Sequence, residues 1–316
     1  DTLSFASDSA GVTANLSANT ATDGNGDTDT LSGFENIAGS NFNDTLTGDT
    51  GANTIGGGTG NDTISGGAGN DTLNGGGGTD TLTFANDTAG VTANLATNTA
   101  TDGNGDTDTL SGFENLTGSG FNDTLGGDAG ANVIDGGAGN DTTSGGAGND
   151  TLTGGTGTDT LSFASDSAGV TANLGANTAT DGNGDTDTLS GFENLTGSNF
   201  NDDLTGDTAA NTIDGGTGND TITGGTGDDT LTGGTGDDTF VIVDGTGAET
   251  ITDFTAGVAI DDTIDLSGVA ALNNFGDVLA NTTDVLGNAV INLGGGSTLT
   301  LTGVTSAQLD SSDFTF

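Results

Sequence analysis

The aspartates of this sequence stand where they could hold a metal ion. Nine times the chain writes Gly-Gly-x-Gly-x-Asp, ending at Asp62, Asp71, Asp80, Asp141, Asp150, Asp159, Asp220, Asp229 and Asp238. Asp44, Asp123 and Asp202 close weaker versions of the same string. A carboxylate set among glycines offers a mixed donor set, because glycine lets a loop turn its carbonyls toward a shared point. That set suits a hard cation such as calcium, which takes about six to eight oxygens from carboxylates and carbonyls alike. The candidate carbonyl donors are Gly57, Gly60, Gly66 and Gly69, then Gly136, Gly139, Gly145 and Gly148, then Gly215, Gly218, Gly224 and Gly227.

Other chemistries are poorly served. With no His, Cys or Lys, the usual nucleophile and base pairs cannot be assembled, and the HExxH zinc motif is absent. Paired carboxylates could in principle hydrolyse glycosides, but these are repeated along an array and already assigned to metal, so no intrinsic enzymatic activity is expected. The 46 acidic residues face no Lys or Arg, giving a formal charge of −46. Such a polymer repels itself unless cations arrive from solution. Nucleic acid is excluded as a partner, since phosphate binding needs basic groups. No apolar run is long enough to span a membrane.

Two nested periods position these aspartates. DTLSFASDSAG at Asp1 returns as DTLTFANDTAG at Asp80 and as DTLSFASDSAG at Asp159, each 79 residues on. The expected organisation is repeat blocks over 1–79, 80–158 and 159–243, then a diverged C-terminal unit over 244–316, as arrays often close. Within each block runs a nine-residue period, clearest at Gly57–Ser65, Gly66–Asn74 and Gly75–Thr83. Glycine at that density destabilises a helix. The stretch Asp62-Thr63-Ile64-Ser65 instead suits a short strand, with a β-branched residue outside and an apolar one inside. Two such halves make one 18-residue turn of a flattened solenoid, with Ile64, Leu73 and Leu82 pointing inward from alternating sheets.

The nonapeptide GGxGxDxUx, with U apolar, resembles that of the RTX (hemolysin-type calcium-binding) repeat proteins. The resemblance implies an all-β, right-handed parallel β-roll with calcium in its loops and a β-rich cap. The period predicts that Asp44 stacks over Asp62 and Asp62 over Asp80, likewise Asp123, Asp141 and Asp159, and Asp202, Asp220 and Asp238. On the opposite edge Asn53, Asn132 and Asn211 face Asp71, Asp150 and Asp229, where an amide oxygen replaces a carboxylate and weaker sites are expected. One buried Leu or Ile per nine residues does not offset the ordering of nine backbones, so the coil needs the metal.

Between the nonapeptide runs lies DGNGDTD. The spacing of Asp23, Asn25, Asp27 and Asp29 resembles the first half of an EF-hand loop, as do Asp102, Asn104, Asp106 and Asp108, and Asp181, Asn183, Asp185 and Asp187. The match is partial, since Thr28 stands where that motif wants glycine. Leu3 to Val12, Leu82 to Val91 and Leu161 to Val170 keep the nine-residue step, so a continuous roll carrying enlarged loops is expected.

Beyond Asp244 glycine loops give way to ETITDFTAG and DDTIDLSGV, and VINL and TLTL flank GGGS as a hairpin would. This unit resembles the cap of RTX exoproteins, whose end is read by a type I secretion machine, with Asp313, Phe314 and Phe316 fitting that pattern. Starting on Asp1 within a repeat, the chain is read as the C-terminal part of a longer protein. The leading functional reading is an extracellular structural repeat protein of a Gram-negative-type bacterium, of surface-layer, matrix or adhesin kind. It would stiffen on calcium after export, with self-association into a filament or lattice and a cell-surface glycan as further partners. The alternatives are the secretion and stability module of an RTX hydrolase, and an ice-binding adhesin region, suggested by the recurrent TGND at Thr59 and Thr217.

Overall fold

In a computed structural model, residues 1–243, 245, 247–257 and 262–316 are described. The cap boundary expected at Asp244, and Asp261 at the head of DDTIDLSGV, lie outside them. The chain forms two compact units, Asp1–Asp159 and Thr160–Phe316.

In the first unit the glycine loops hand over to strands that are mostly three residues long. One sheet sets Thr2–Ser4, Asn36–Ala38, Thr54–Thr59, Thr72–Gly77 and Thr107–Ser111 side by side in parallel. The other sets Thr13–Asn15, Thr45–Thr47, Thr63–Ser65, Thr81–Thr83, Asn115–Thr117, Val133–Asp135 and Thr151–Thr153 in parallel. Successive nonapeptides alternate between the sheets, which is the parallel β-roll that the sequence predicts. Threonine faces outward because its β-branch fits the pleat. The single apolar residue of each strand turns inward, and Leu46, Ile64, Leu82, Ile55 and Leu73 are fully buried. The core is therefore one side chain deep per strand. Thr143 breaks the rule, occupying an inward place beside Leu125 with a buried hydroxyl that no group engages.

The inserts differ from the enlarged loops expected. In the second block Thr92–Asn94, Thr99–Thr101 and Thr107–Ser111 form an antiparallel meander within one sheet, bounded in parallel by Thr72–Gly77 and Thr124–Gly126. The nine-residue step also fails there. Val91 precedes its strand and donates its amide to Asp123 Oδ1 at 2.7 Å, while Ala93 points inward. An Asn98 in the left-handed region (φ 57°) makes the reversal, which asparagine tolerates better than most residues. With three strands of each insert in one sheet, a block crosses between sheets an odd number of times. The insert of the first block (Thr13–Asn15, Thr20–Thr22, Thr28–Thr30) consequently lies in one sheet and that of the second block in the other.

The second unit repeats the pattern. Asn194–Thr196, Thr212–Asp214, Thr230–Thr232 and Ala248–Ile251 run parallel in one sheet. Asp203–Thr205, Thr221–Thr223, Thr239–Val243 and Thr263–Gly268 do so in the other. The GGGS hairpin pairs Asn288–Gly294 with Ser297–Leu301, and the latter continues the first of these sheets beside Ala248–Ile251. A short helix, Phe275–Ala280, is capped by Asn274, whose Oδ1 accepts the Asp277 amide. Phe314–Thr315 pairs with Ile264 and Asp265, burying Phe314.

Candidate metal centres

Each loop aspartate is locked by the turn before it. Asp62 Oδ1 accepts the amide of Asp44 at 2.8 Å, and Asp80 Oδ1 accepts that of Asp62 at 2.7 Å. The same step joins Asp123 to Asp141 and Asp141 to Asp159 at 2.8 Å, Asp202 to Asp220 at 2.8 Å, and Asp220 to Asp238 at 2.9 Å. These are the stacks that the 18-residue arithmetic places together. On the other edge Asp71, Asp150 and Asp229 accept the amides of Asn53, Asn132 and Asn211.

That arrangement commits one carboxylate oxygen and turns the second into the loop. Oδ2 of Asp62, Asp71, Asp80, Asp141 and Asp220 is buried with no hydrogen-bond donor. A Cβ on Gly57 would strike both Asp62 Oδ2 and the Gly75 carbonyl oxygen one turn on. Gly136 faces Asp141 Oδ2 with the Gly154 carbonyl, and Gly215 faces Asp220 Oδ2 with the Gly233 carbonyl, in the same way. Gly66, Gly145 and Gly224 lie against Asp71, Asp150 and Asp229 Oδ2. The fourth-place glycines, Gly60, Gly69, Gly139, Gly148, Gly218 and Gly227, all adopt positive φ, which at Gly60 reaches 124°. A side chain is resisted there.

These carboxyl groups are buried beside other acids, and their affinity for a proton rises. Burial, with the charges of Asp44 and Asp80 behind it, pushes Asp62 up to about 6. Burial does the same to Asp71, Asp141, Asp220 and Asp238, each to about 6, and raises Asp80, Asp159 and Asp229. Among the described residues no three acidic side chains converge on one point. An ion at such a loop would therefore draw on few carboxylates and take its remaining oxygens from carbonyls. Calcium fits that donor set, being hard, oxygen-seeking and tolerant of mixed ligands.

Other loops fit less well. Asp44 is satisfied at both oxygens, Oδ1 by Val12 N–H and Ser40 Oγ at 2.8 Å and Oδ2 by Ser40 N–H at 2.6 Å. Ser119 serves Asp123 and Ser198 serves Asp202 in the same fashion. Asn53 brings its own donor, giving Nδ2 to the Glu35 carbonyl at 2.7 Å while Oδ1 accepts the Asp49 amide.

The EF-hand-like spacing does not gather its oxygens. Asp23 Oδ1 accepts the Asn25 and Asp27 amides, closing a local turn, and Asp29 is exposed. Asp102 and Asp181 close the corresponding turns with Oδ1, with Asn104 and Asp106, and Asn183 and Asp185, donating their amides. In both, Oδ2 is buried and partnerless. Asp106 turns away to the Gly69 amide, and Asp108 accepts the Asp71 amide at 2.9 Å. Asp108 therefore occupies the sixth place of a nonapeptide running from Gly103 to Ser111, with Leu110 inward beside Leu73. Burial, then the charges of Asp71, Asp102 and Asp87, raise Asp108 to about 7. Asp187 holds the matching place in the sequence and is likewise buried. Glu114 was also missed as a ladder member, and its Oε2 accepts the Asp80 amide at 2.7 Å. The signal for the hidden turn was Asp108-Thr109-Leu110, the same D-T-L that opens each block.

The family comparison accords with this geometry. A family model described as the RTX calcium-binding nonapeptide repeat (4 copies) matches residues 29–64, 47–82, 108–143, 126–161, 144–167, 187–222, 196–231 and 205–240, more than half of the chain. No curated protein matches the sequence. Among solved structures, the crystal structure of an extracellular lipase from Serratia marcescens aligns over 91% of this chain at 18% identity with a TM-score of 0.28. This chain spans 40% of that lipase's length.

Proposed function

Because the chain belongs to the family of RTX calcium-binding nonapeptide repeats, we propose that it works outside the cell as a calcium-stiffened structural element of the surface-layer, matrix or adhesin kind, and not as a catalyst. The observation that carries this reading is the series of buried, donorless Asp Oδ2 atoms set against glycine carbonyls, in a chain without Lys, Arg or His. Bound calcium supplies the positive charge that the sequence lacks. The aspartates hold their oxygens in place by hydrogen bonds from the preceding turn, and the glycines keep the loop interior clear. Metal binding then becomes folding free energy, since the unfolded chain has no preformed site.

The absence of His, Cys and Lys supports a non-catalytic role. Near-identical 79-residue blocks support extension or lateral packing over a single active centre. The chain would stay open in calcium-poor cytosol, leave a Gram-negative-type cell through a type I machine, and order itself in the calcium outside. Circular dichroism with chelator and then with millimolar calcium tests this. A coil-like spectrum that becomes β-rich on calcium is expected, and an unchanged spectrum would sink the reading. Electron microscopy of the loaded protein should then show filaments or lattices, and dispersed particles would count against the scaffold role.

A further inference from the structure

Three phenylalanines stand out on this polar, anionic surface. Phe42, Phe121 and Phe200 are 44%, 47% and 45% exposed, whereas Phe5, Phe84, Phe113, Phe163 and Phe192 are buried. One exposed phenylalanine needs no explanation, but these recur at one loop position, where the full nonapeptide carries glycine. Each is held the same way. Ser40 Oγ accepts the Phe42 amide at 3.1 Å and donates to Asp44 Oδ1 at 2.8 Å, and Gly60 of the next turn lies against the Phe42 carbonyl. Ser119 with Gly139, and Ser198 with Gly218, repeat this around Phe121 and Phe200. The backbone is pinned and covered, and the ring alone projects. Beside Phe42 and Phe200 stand amides and hydroxyls, Asn41 with Thr59 and Asn199 with Thr217, whereas Phe121 has Gly120 and Ala138 in those places.

We propose that these rings are docking points for a neutral polysaccharide. An aromatic face accepts the C–H face of a sugar, and neighbouring amide and hydroxyl groups exchange hydrogen bonds with its hydroxyls. The acidic surface, with no Lys or Arg, repels sulfated or uronic polymers and anionic lipid alike, and leaves an uncharged partner as the match. The loop of Phe42 leads into Thr45–Thr47 and that of Phe121 into Thr124–Gly126, strands of opposite sheets. The two rings therefore stand on opposite edges of the first unit, so one chain engages two polymer strands. The odd number of sheet crossings per block is what places them so. This inference rests on the extracellular scaffold reading.

The test uses the calcium-loaded full chain with beads carrying cellulose, β-1,3-glucan, mannan or galactan. The chain should bind and agglutinate at least one kind. In an F200A background agglutination should persist. Adding F42A or F121A should abolish agglutination while binding remains. The triple variant should lose binding, by about a hundredfold or more if the contacts act together. Circular dichroism of the same samples, with chelator and with calcium, must show unchanged metal-dependent folding. A chain that folds on calcium yet binds no neutral polymer, or a triple variant that binds as well as its parent, overturns the inference alone. So does Phe-dependent self-association without polysaccharide, seen by sedimentation. Failure to fold on calcium overturns the scaffold reading instead.

Discussion

Replacing Asp62 by asparagine should stabilise the metal-free chain and destabilise the calcium-loaded one. Asp62 is 1% exposed, its Oδ1 accepts the Asp44 amide, and its Oδ2 has no donor. Burial chiefly, then Asp44 and Asp80, raises its carboxyl from 3.8 to about 6. Each unit is about 1.4 kcal/mol. Allowing for solvent at the loop edge, ionising Asp62 in the metal-free fold costs on the order of 2 kcal/mol. Asparagine keeps the Oδ1 acceptor without the charge, as Asn53 does natively, with its amide nitrogen on a carbonyl. At about pH 7 in chelator, D62N should therefore gain roughly 2 kcal/mol in urea denaturation. In excess calcium it should lose stability and at least one equivalent of bound metal, since Asp62 stands between the loops of Asp44 and Asp80. An effect of the same sign in both conditions would refute the assignment of Asp62 Oδ2 to a cation.

Acidification should do in part what calcium does. The folded-state values of about 6 for Asp62, Asp71, Asp141, Asp220 and Asp238, and about 7 for Asp108, lie above the ordinary 3.8. The folded chain then binds more protons than the unfolded one, so metal-free stability is fullest below about pH 4 and is lost as pH rises through about 6 to 7. Circular dichroism in chelator should show β structure fading over that window, and calcium binding measured by calorimetry should weaken as pH falls through it. Thr143→Val removes an unengaged buried hydroxyl without changing shape. It should stabilise by about 1–2 kcal/mol in thermal melts with calcium, and no gain would mean that the hydroxyl has a partner. Gly57→Ala places a methyl group against Asp62 Oδ2 and the Gly75 carbonyl, and should lower calcium stoichiometry where Gly56→Ala, with open space around it, does not.

The regular part of this fold was legible because two periods coincide. The strand needs one inward residue every nine, and the loop needs one aspartate every nine, so either signal fixes the other. That coincidence alone puts Asp44, Asp62 and Asp80 in one stack. It failed where the periods separate. Between Leu82 and Leu110 the chain reverses twice within one sheet, and a reversal at Asn98 carries no mark in an apolar step count. The step from Leu82 to Val91 was a coincidence of spacing. Val91 takes an aspartate's place in the ladder through its backbone amide, to which any residue but proline is suited. Glu114 escaped for a related reason, because its longer side chain reaches the same amide.

The loops also divide each block into a part that requires metal and a part that does not. At Asp44 and Asp123 a serine of the same loop satisfies both carboxylate oxygens, and at Asn53 and Asn132 the amide supplies its own donor. Donorless oxygens appear at the complete loops, as in Asp62, Asp71 and Asp80 of the first run and Asp141 of the second, and at Asp102 and Asp181 of the inserts that follow those runs. The electrostatic demand is therefore concentrated in the runs of full nonapeptides and the insert turns stacked on them, separated by loops that close on their own hydrogen bonds. In a repeat fold, where stability is a sum of neighbouring interfaces, such a layout makes each run a separate calcium-dependent segment. Ordering should then advance block by block with calcium, and hydrogen exchange should protect Thr63 and Thr81, whose amides donate to the Asp44 and Asp62 carbonyls, in step with metal occupancy of their own run.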